Sequence, residues 1–148
     1  MTLPLNEVLA YKHPAVIRRF QKEHPGKAHE AELIFEDLMR FFWASKNHEM
    51  AQAQNPTDES LQFVFIMDEE MKYIDLIWHV FLLYTQDYTQ FCGKYFGEYL
   101  HHLPDIVPNH LADSFDAELN LEKFLSNIYD QLGEDVVRRW FSQAFQVA

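Results

Sequence analysis

The spacing of apolar positions along the chain is mostly helical. Near the start, NEVLAY predicts a short helix, and His13-Pro14 restarts the chain because proline is tolerated in a first turn. Val16, Ile17 and Phe20 then share one face, and EHPG at residues 23–26 stops that piece. From about Lys27 to about Asn47, Ala31, Ile34, Phe35, Leu38 and Phe42 recur with the 3.6-residue period. Glu32, Glu36 and Arg40 fall on the opposite side, where i,i+4 pairing is available. The polar run AQAQNPTDES, residues 51–60, predicts a surface loop.

LQFVFIM, residues 61–67, is short and rich in Phe and β-branched residues. A lone strand would have no partner for its backbone groups, so an extended segment packed into a helical domain is expected. Asp68 has the character of an N-cap, with Glu69 and Glu70 in the first turn where the helix dipole favours negative charge. The apolar density that follows predicts a buried central helix over about 68–92. KYFGEYLHH is expected to form a shorter helix ended by Leu103-Pro104, and PDIVPNH a loop. In the C-terminal part Leu121, Phe124, Leu125, Ile128 and Leu132 form one stripe, with Gly133 at the C′ position. Val137, Trp140, Phe141 and Ala144 line a second helix, which makes the pair an αα-hairpin. The expected fold is a single all-α helical domain spanning 1–148.

Composition narrows the function classes. Hydrophobic residues make up 48% of the 148-residue chain, which is material for a true core and excludes the disordered class. Twelve Lys and Arg against 23 Asp and Glu give a net charge of −11, a field that repels phosphate backbones and anionic membranes. The single cysteine, Cys92, allows no intrachain disulfide and suits a reducing compartment. No basic start followed by a long apolar run marks a signal peptide, and Leu76–Tyr84 is too short to span a bilayer. A soluble cytoplasmic protein is expected, with no nucleic acid or membrane as partner.

The candidate chemistry lies in IDLIWHVFLLY, residues 74–84. Between Met71 and Tyr84 only Lys72, Asp75 and His79 are polar, so the helix is expected to be buried on most sides. Asp75 and His79, one turn apart, project from nearly the same side, continued by Leu82 and Gln86. A buried charge needs a partner, and loss of His79 would orphan Asp75. Three arrangements would satisfy the pair: a structural hydrogen-bond network, a metal ion, or a general base at His79 poised by Asp75. If the chain turns at Gly93 and comes back, one of His101 and His102 reaches His79, and His102 is preferred because adjacent helical residues diverge by about 100°. Cys92 would lie about 20 Å from His79 on one straight helix, too far to share an ion. His48 follows the second helix and is expected at the surface, as are Arg138 and Arg139. Tyr84, Tyr88, Phe91, Tyr95, Phe96 and Tyr99 are expected to pack the core. No phosphate loop, HExxH, CxxC pair, EF-hand or GxSxG elbow occurs.

The segment Asp75–Pro104 resembles the central part of the glycine-rich domain-containing protein-like family, a domain of unknown function. The resemblance rests on Asp75, Trp78, His79, Tyr88, Cys92, Gly97 and His102 (or His101). Two departures mark a small bacterial-type member. Phe81 stands where plant members often carry a second histidine, and the glycine-rich tail is absent. The resemblance implies a shared fold and a role for Asp75 and His79, and it implies no activity. Two functions follow from the residues. One is a protein-interaction module with a buried Asp75–His79 network, whose acidic surface meets a protein partner. The other is a metal-binding protein or a metal-dependent enzyme of hydrolytic or oxygen chemistry, using His79, Asp75 and His102 or His101, with zinc the first choice and iron the second.

Overall fold

The computed structural model describes residues 3–102 and 115–142. The expected stop at Leu103-Pro104, the PDIVPNH loop and Ala144 lie outside that range. All regular structure among the described residues is helical. The order is α1 (Leu5–Leu9), α2 (Pro14–Glu23), α3 (Ala31–Gln54), α4 (Lys72–Leu83), α5 (Thr85–Phe96), α6 (Ala117–Leu132) and α7 (Glu134–Trp140). Short 3-10 turns cover Pro25–Glu30, Glu59–Leu61 and Glu69–Met71. No described helix is long and apolar enough to cross a membrane.

α3 is the element around which the others are arranged, packing against α1, α2, α4 and α6. It stays helical through AQAQ to Gln54, so the expected loop starts later, at Asn55. Its buried residues include Ala31, Ile34, Phe35, Leu38, Phe41 and Phe42. Asp37 is buried too, and its carboxylate accepts hydrogen bonds from Arg40 Nη1 (2.7 Å) and from Arg139 Nε and Nη2 (3.0 and 2.6 Å). Arg139 thus clamps α7 onto α3. That corrects the expectation of a purely solvated arginine: a buried carboxylate needs a cationic donor, and this fork supplies two parallel bonds.

The expected helix over about 68–92 is not one helix and is not the centre of the fold. Asp68 accepts from Glu70 N and opens a 3-10 turn, after which α4 ends at Leu83. Tyr84, at φ −91° and ψ 68°, breaks the run before α5 begins. The break lets α5 fold back. Tyr88 packs edge-on against Phe81 at 4.9 Å between centroids, and Phe91 lies 5.4 Å from Phe81 and 5.9 Å from Phe42. On the solvent side, His13 Nε2 reaches Asp87 in the first turn of α5 (2.7 Å) while its Nδ1 accepts from Val16 N. KYF, expected to start a new helix, is the last turn of α5, which ends at Gly97 in the left-handed region (φ 76°), a conformation glycine adopts without steric cost. Residues 97–102 are not helical.

The segment 62–67 is neither helix nor strand, and the backbone partner of Val64 is a side chain. Asn120 Oδ1 accepts from Val64 N (2.8 Å) and Asn120 Nδ2 donates to Val64 O (3.0 Å). A buried amide on α6 therefore stands where a neighbouring strand would. α6 and α7 form the hairpin, with Phe124, Ile128, Val137 and Trp140 buried and Gly133 at φ 92° between them.

Candidate functional site

α4 turns Ile74, Ile77, Trp78 and Phe81 into the core. Asp75 and His79 sit on the flank of that face. Their side chains are 32% and 53% exposed, and His79 Nδ1 stands 3.7 Å from Asp75 Oδ2, beyond hydrogen-bond length. The expectation of a hidden, mutually bonded pair is therefore corrected. α4 buries Ile74, Ile77, Trp78 and Phe81, and Asp75 and His79 fall beside that set rather than within it, so both keep access to solvent.

The strap 97–102 brings in the third residue. Trp78 Nε1 donates to the Tyr88 hydroxyl (3.0 Å), which donates to the Leu100 carbonyl (2.5 Å). Burial raises the Tyr88 phenol well above its ordinary pKa, so it remains a donor at any working pH. With Leu100 pinned, His102 Nε2 comes within 2.5 Å of Asp75 Oδ1, and its side chain is only 18% exposed. The His102 ring lies 4.2 Å from the Trp78 ring and stacks on His79 at 4.5 Å and 29°. One ligand atom each from Asp75, His79 and His102 falls within 4.8 Å of the others. A tetrahedral zinc with bonds of about 2.0–2.2 Å holds its ligand atoms roughly 3.3–3.6 Å apart. The observed 2.5 and 3.7 Å straddle that spacing.

The other sequence candidates fall elsewhere. His101 is exposed, packs edge-on against Tyr99 at 4.7 Å and is not part of the cluster. Cys92 is buried, and burial pushes its thiol above the ordinary range, which leaves a poor nucleophile. His48 is buried rather than at the surface. It lies inside α3, its Nε2 is 2.9 Å from Leu61 O, and its ring stacks near Phe63 at 4.1 Å. Burial lowers its pKa, so the ring is neutral and donates from Nε2 to that carbonyl.

A cleft of about 470 Å³ runs beside the cluster. One wall is the α3 face carrying Phe41, Ser45, His48, Glu49 and Gln52; the other is the segment 62–67 with Phe63 and Phe65. Asp75, Trp78, His101 and His102 close one end. Asn120, which holds the wall at Val64, was not singled out by sequence reasoning, and Tyr88 was expected only as a core aromatic and a residue of the family resemblance, not as the hydrogen-bond link from Trp78 to Leu100. Asn120 had a signal, as a polar residue in register with Phe124 and Ile128 on the buried stripe of α6.

A family model matches residues 6–120 of the 148. The chain belongs to the UCP032817-like family. The UCP032817-like match takes in Asp75, His79, His102, both cleft walls and Asn120, and ends inside α6. No curated protein and no solved structure matches the chain.

Proposed function

We propose that this UCP032817-like protein binds a divalent metal ion, zinc first and iron second, through Asp75, His79 and His102. The observation that carries this reading is the convergence of three ligand atoms within 4.8 Å, two of them from residues that line a cleft, Asp75 and His102. His79 supports it further, because a half-exposed imidazole 3.7 Å from its carboxylate serves no hydrogen bond there. Asp75, His79 and His102 would hold the ion in place of the His102–Asp75 hydrogen bond, and three protein ligands would leave a coordination position open. That is the pattern of catalytic rather than closed structural zinc sites, and two histidines with one carboxylate also suit non-haem iron. A metal held by these three residues would supply Lewis-acid and water-activating chemistry of the hydrolytic kind.

The test is the metal content of protein purified without a histidine tag, then incubated with zinc and dialysed. One equivalent of zinc in the parent and its loss in both His79→Ala and His102→Ala are expected. A metal-free parent after that treatment overturns the reading.

One observation favours a second reading, an interaction module with a structural polar network. The His102–Asp75 hydrogen bond is complete without an ion and ties the strap to α4. Under that reading His79→Ala changes nothing, His102→Ala frees the strap, and the acidic surface meets a protein partner. Zinc binding lost in His79→Ala separates the two.

A further inference from the structure

We infer that the cleft is a binding site for a small molecule with a flat apolar body and a single anionic oxygen head, the head at the Asp75–His79–His102 cluster. This rests on the metal reading and adds the class of ligand. The volume, about 470 Å³, lies in the range of small-molecule sites, roughly 300–1,000 Å³. Much of the lining is aromatic. Phe41 lies 5.7 Å from Phe65 and 5.9 Å from Trp78, and Phe63 stacks with Phe65 at 5.9 Å and 17°. Phe41 touches Phe65 and His48 touches Phe63 (4.1 Å), so the rings form one packed aromatic surface along the cleft, and a planar body would lie against that surface rather than between two walls.

Charge sets the head group. A divalent ion beside one carboxylate and two neutral imidazoles leaves a net charge of +1, which one anionic oxygen group cancels. Glu49, in the same lining, disfavours a second anionic group on the ligand. The segment 62–67 is held in place by Asn120, so the aromatic surface is preformed rather than assembled by the guest.

The probes are acetohydroxamate and benzohydroxamate, which share a chelating head and differ by a ring. Each is titrated by calorimetry into zinc-loaded full-length protein whose zinc content has been measured beforehand. Benzohydroxamate is expected to bind about ten- to a hundredfold more tightly, the gain of burying one phenyl ring. In Phe65→Leu and Phe65→Ala that ratio should fall below about threefold with acetohydroxamate affinity unchanged. Circular dichroism of both variants confirms the fold, and the milder Phe65→Leu carries the test if Phe65→Ala unfolds. Equal affinities of the two probes for the parent overturn the cleft inference while leaving the metal site standing. A parallel loss of both probes in Phe65→Leu overturns it as well. Protein that takes up no zinc removes the metal reading first, and the inference with it.

Discussion

Asn120→Leu removes the amide that substitutes for a strand partner while keeping the branching and heavy-atom number of the side chain. Two hydrogen bonds to Val64 are lost, at 2.8 and 3.0 Å. Each contributes about 0.5–1.5 kcal/mol net, and an unsatisfied buried backbone group costs roughly 1–3 kcal/mol. Val64 is only partly buried, so water can recover some of the second cost. The expected loss is about 2–4 kcal/mol, read from urea unfolding as a lower midpoint. Asn120→Asp is the sharper probe. Its carboxylate still accepts from Val64 N but sets a second acceptor against Val64 O, so near-perfect isosterism should not rescue it. Lowering the pH protonates that carboxyl and restores a donor, so Asn120→Asp should recover toward the parent in acid. In hydrogen exchange, the Val64 amide should lose protection in Asn120→Leu and keep more of it in Asn120→Asp. A variant Asn120→Asp as stable as the parent at pH 7 would refute the view that this amide pairs with both backbone groups of Val64.

Two further perturbations test the rest of the frame. Asp37→Ala strands Arg139 and Arg40 and should cost roughly 2–3 kcal/mol in urea unfolding; that is less than a fully buried pair because Arg139 keeps about a third of its side chain in solvent. No change in midpoint would place the α3–α7 clamp outside the stability of the fold. His48 gives a pH signature. Burial lowers its pKa in the folded state, so the unfolded chain takes the proton first, near its ordinary value of 6.5. The stability it contributes is complete above that value and is lost as pH falls through it toward the folded pKa. The difference in unfolding free energy between the parent and His48→Gln should therefore shrink from pH 8 to pH 5, and a constant difference would show that His48 is not held neutral.

Much of the helical frame was legible because local rules and packing agree there. Ala31, Ile34, Phe35, Leu38 and Phe42 are all buried in α3, and Gly133 stands at a positive φ where the hairpin turns. The helical period also led the reading astray. No proline or glycine marks Tyr84, and the only local sign of the break is that the apolar run stops there, with Thr85, Gln86 and Asp87 following, a change that a helix turning its polar face outward shows equally. It is made by tertiary contacts, with Tyr88 and Phe91 returning onto Phe81 and His13 gripping Asp87. His48 misled for a related reason. Lys46, Asn47, Glu49, Gln52 and Gln54 flank it, and only the segment 62–67 folding over α3 buries its ring against Phe63.

The break and the candidate site are one feature. On an unbroken helix Phe91 would stand about 18 Å beyond His79. Tyr88, nearly three turns or about 15 Å past Trp78 on that axis, would then lie too far along it to meet the indole N–H. With the turn at Tyr84 the phenol reaches both Trp78 and Leu100, and the strap ends with His102 against Asp75. The turn thus supplies the third residue of the cluster to the two that α4 holds beside its buried face. What began as a question of how two ionisable groups survive burial is answered by their not being fully buried. A half-open carboxylate with two imidazoles is a better place for an exchangeable ligand than a sealed pair would be, because solvent, ion and guest can all reach it.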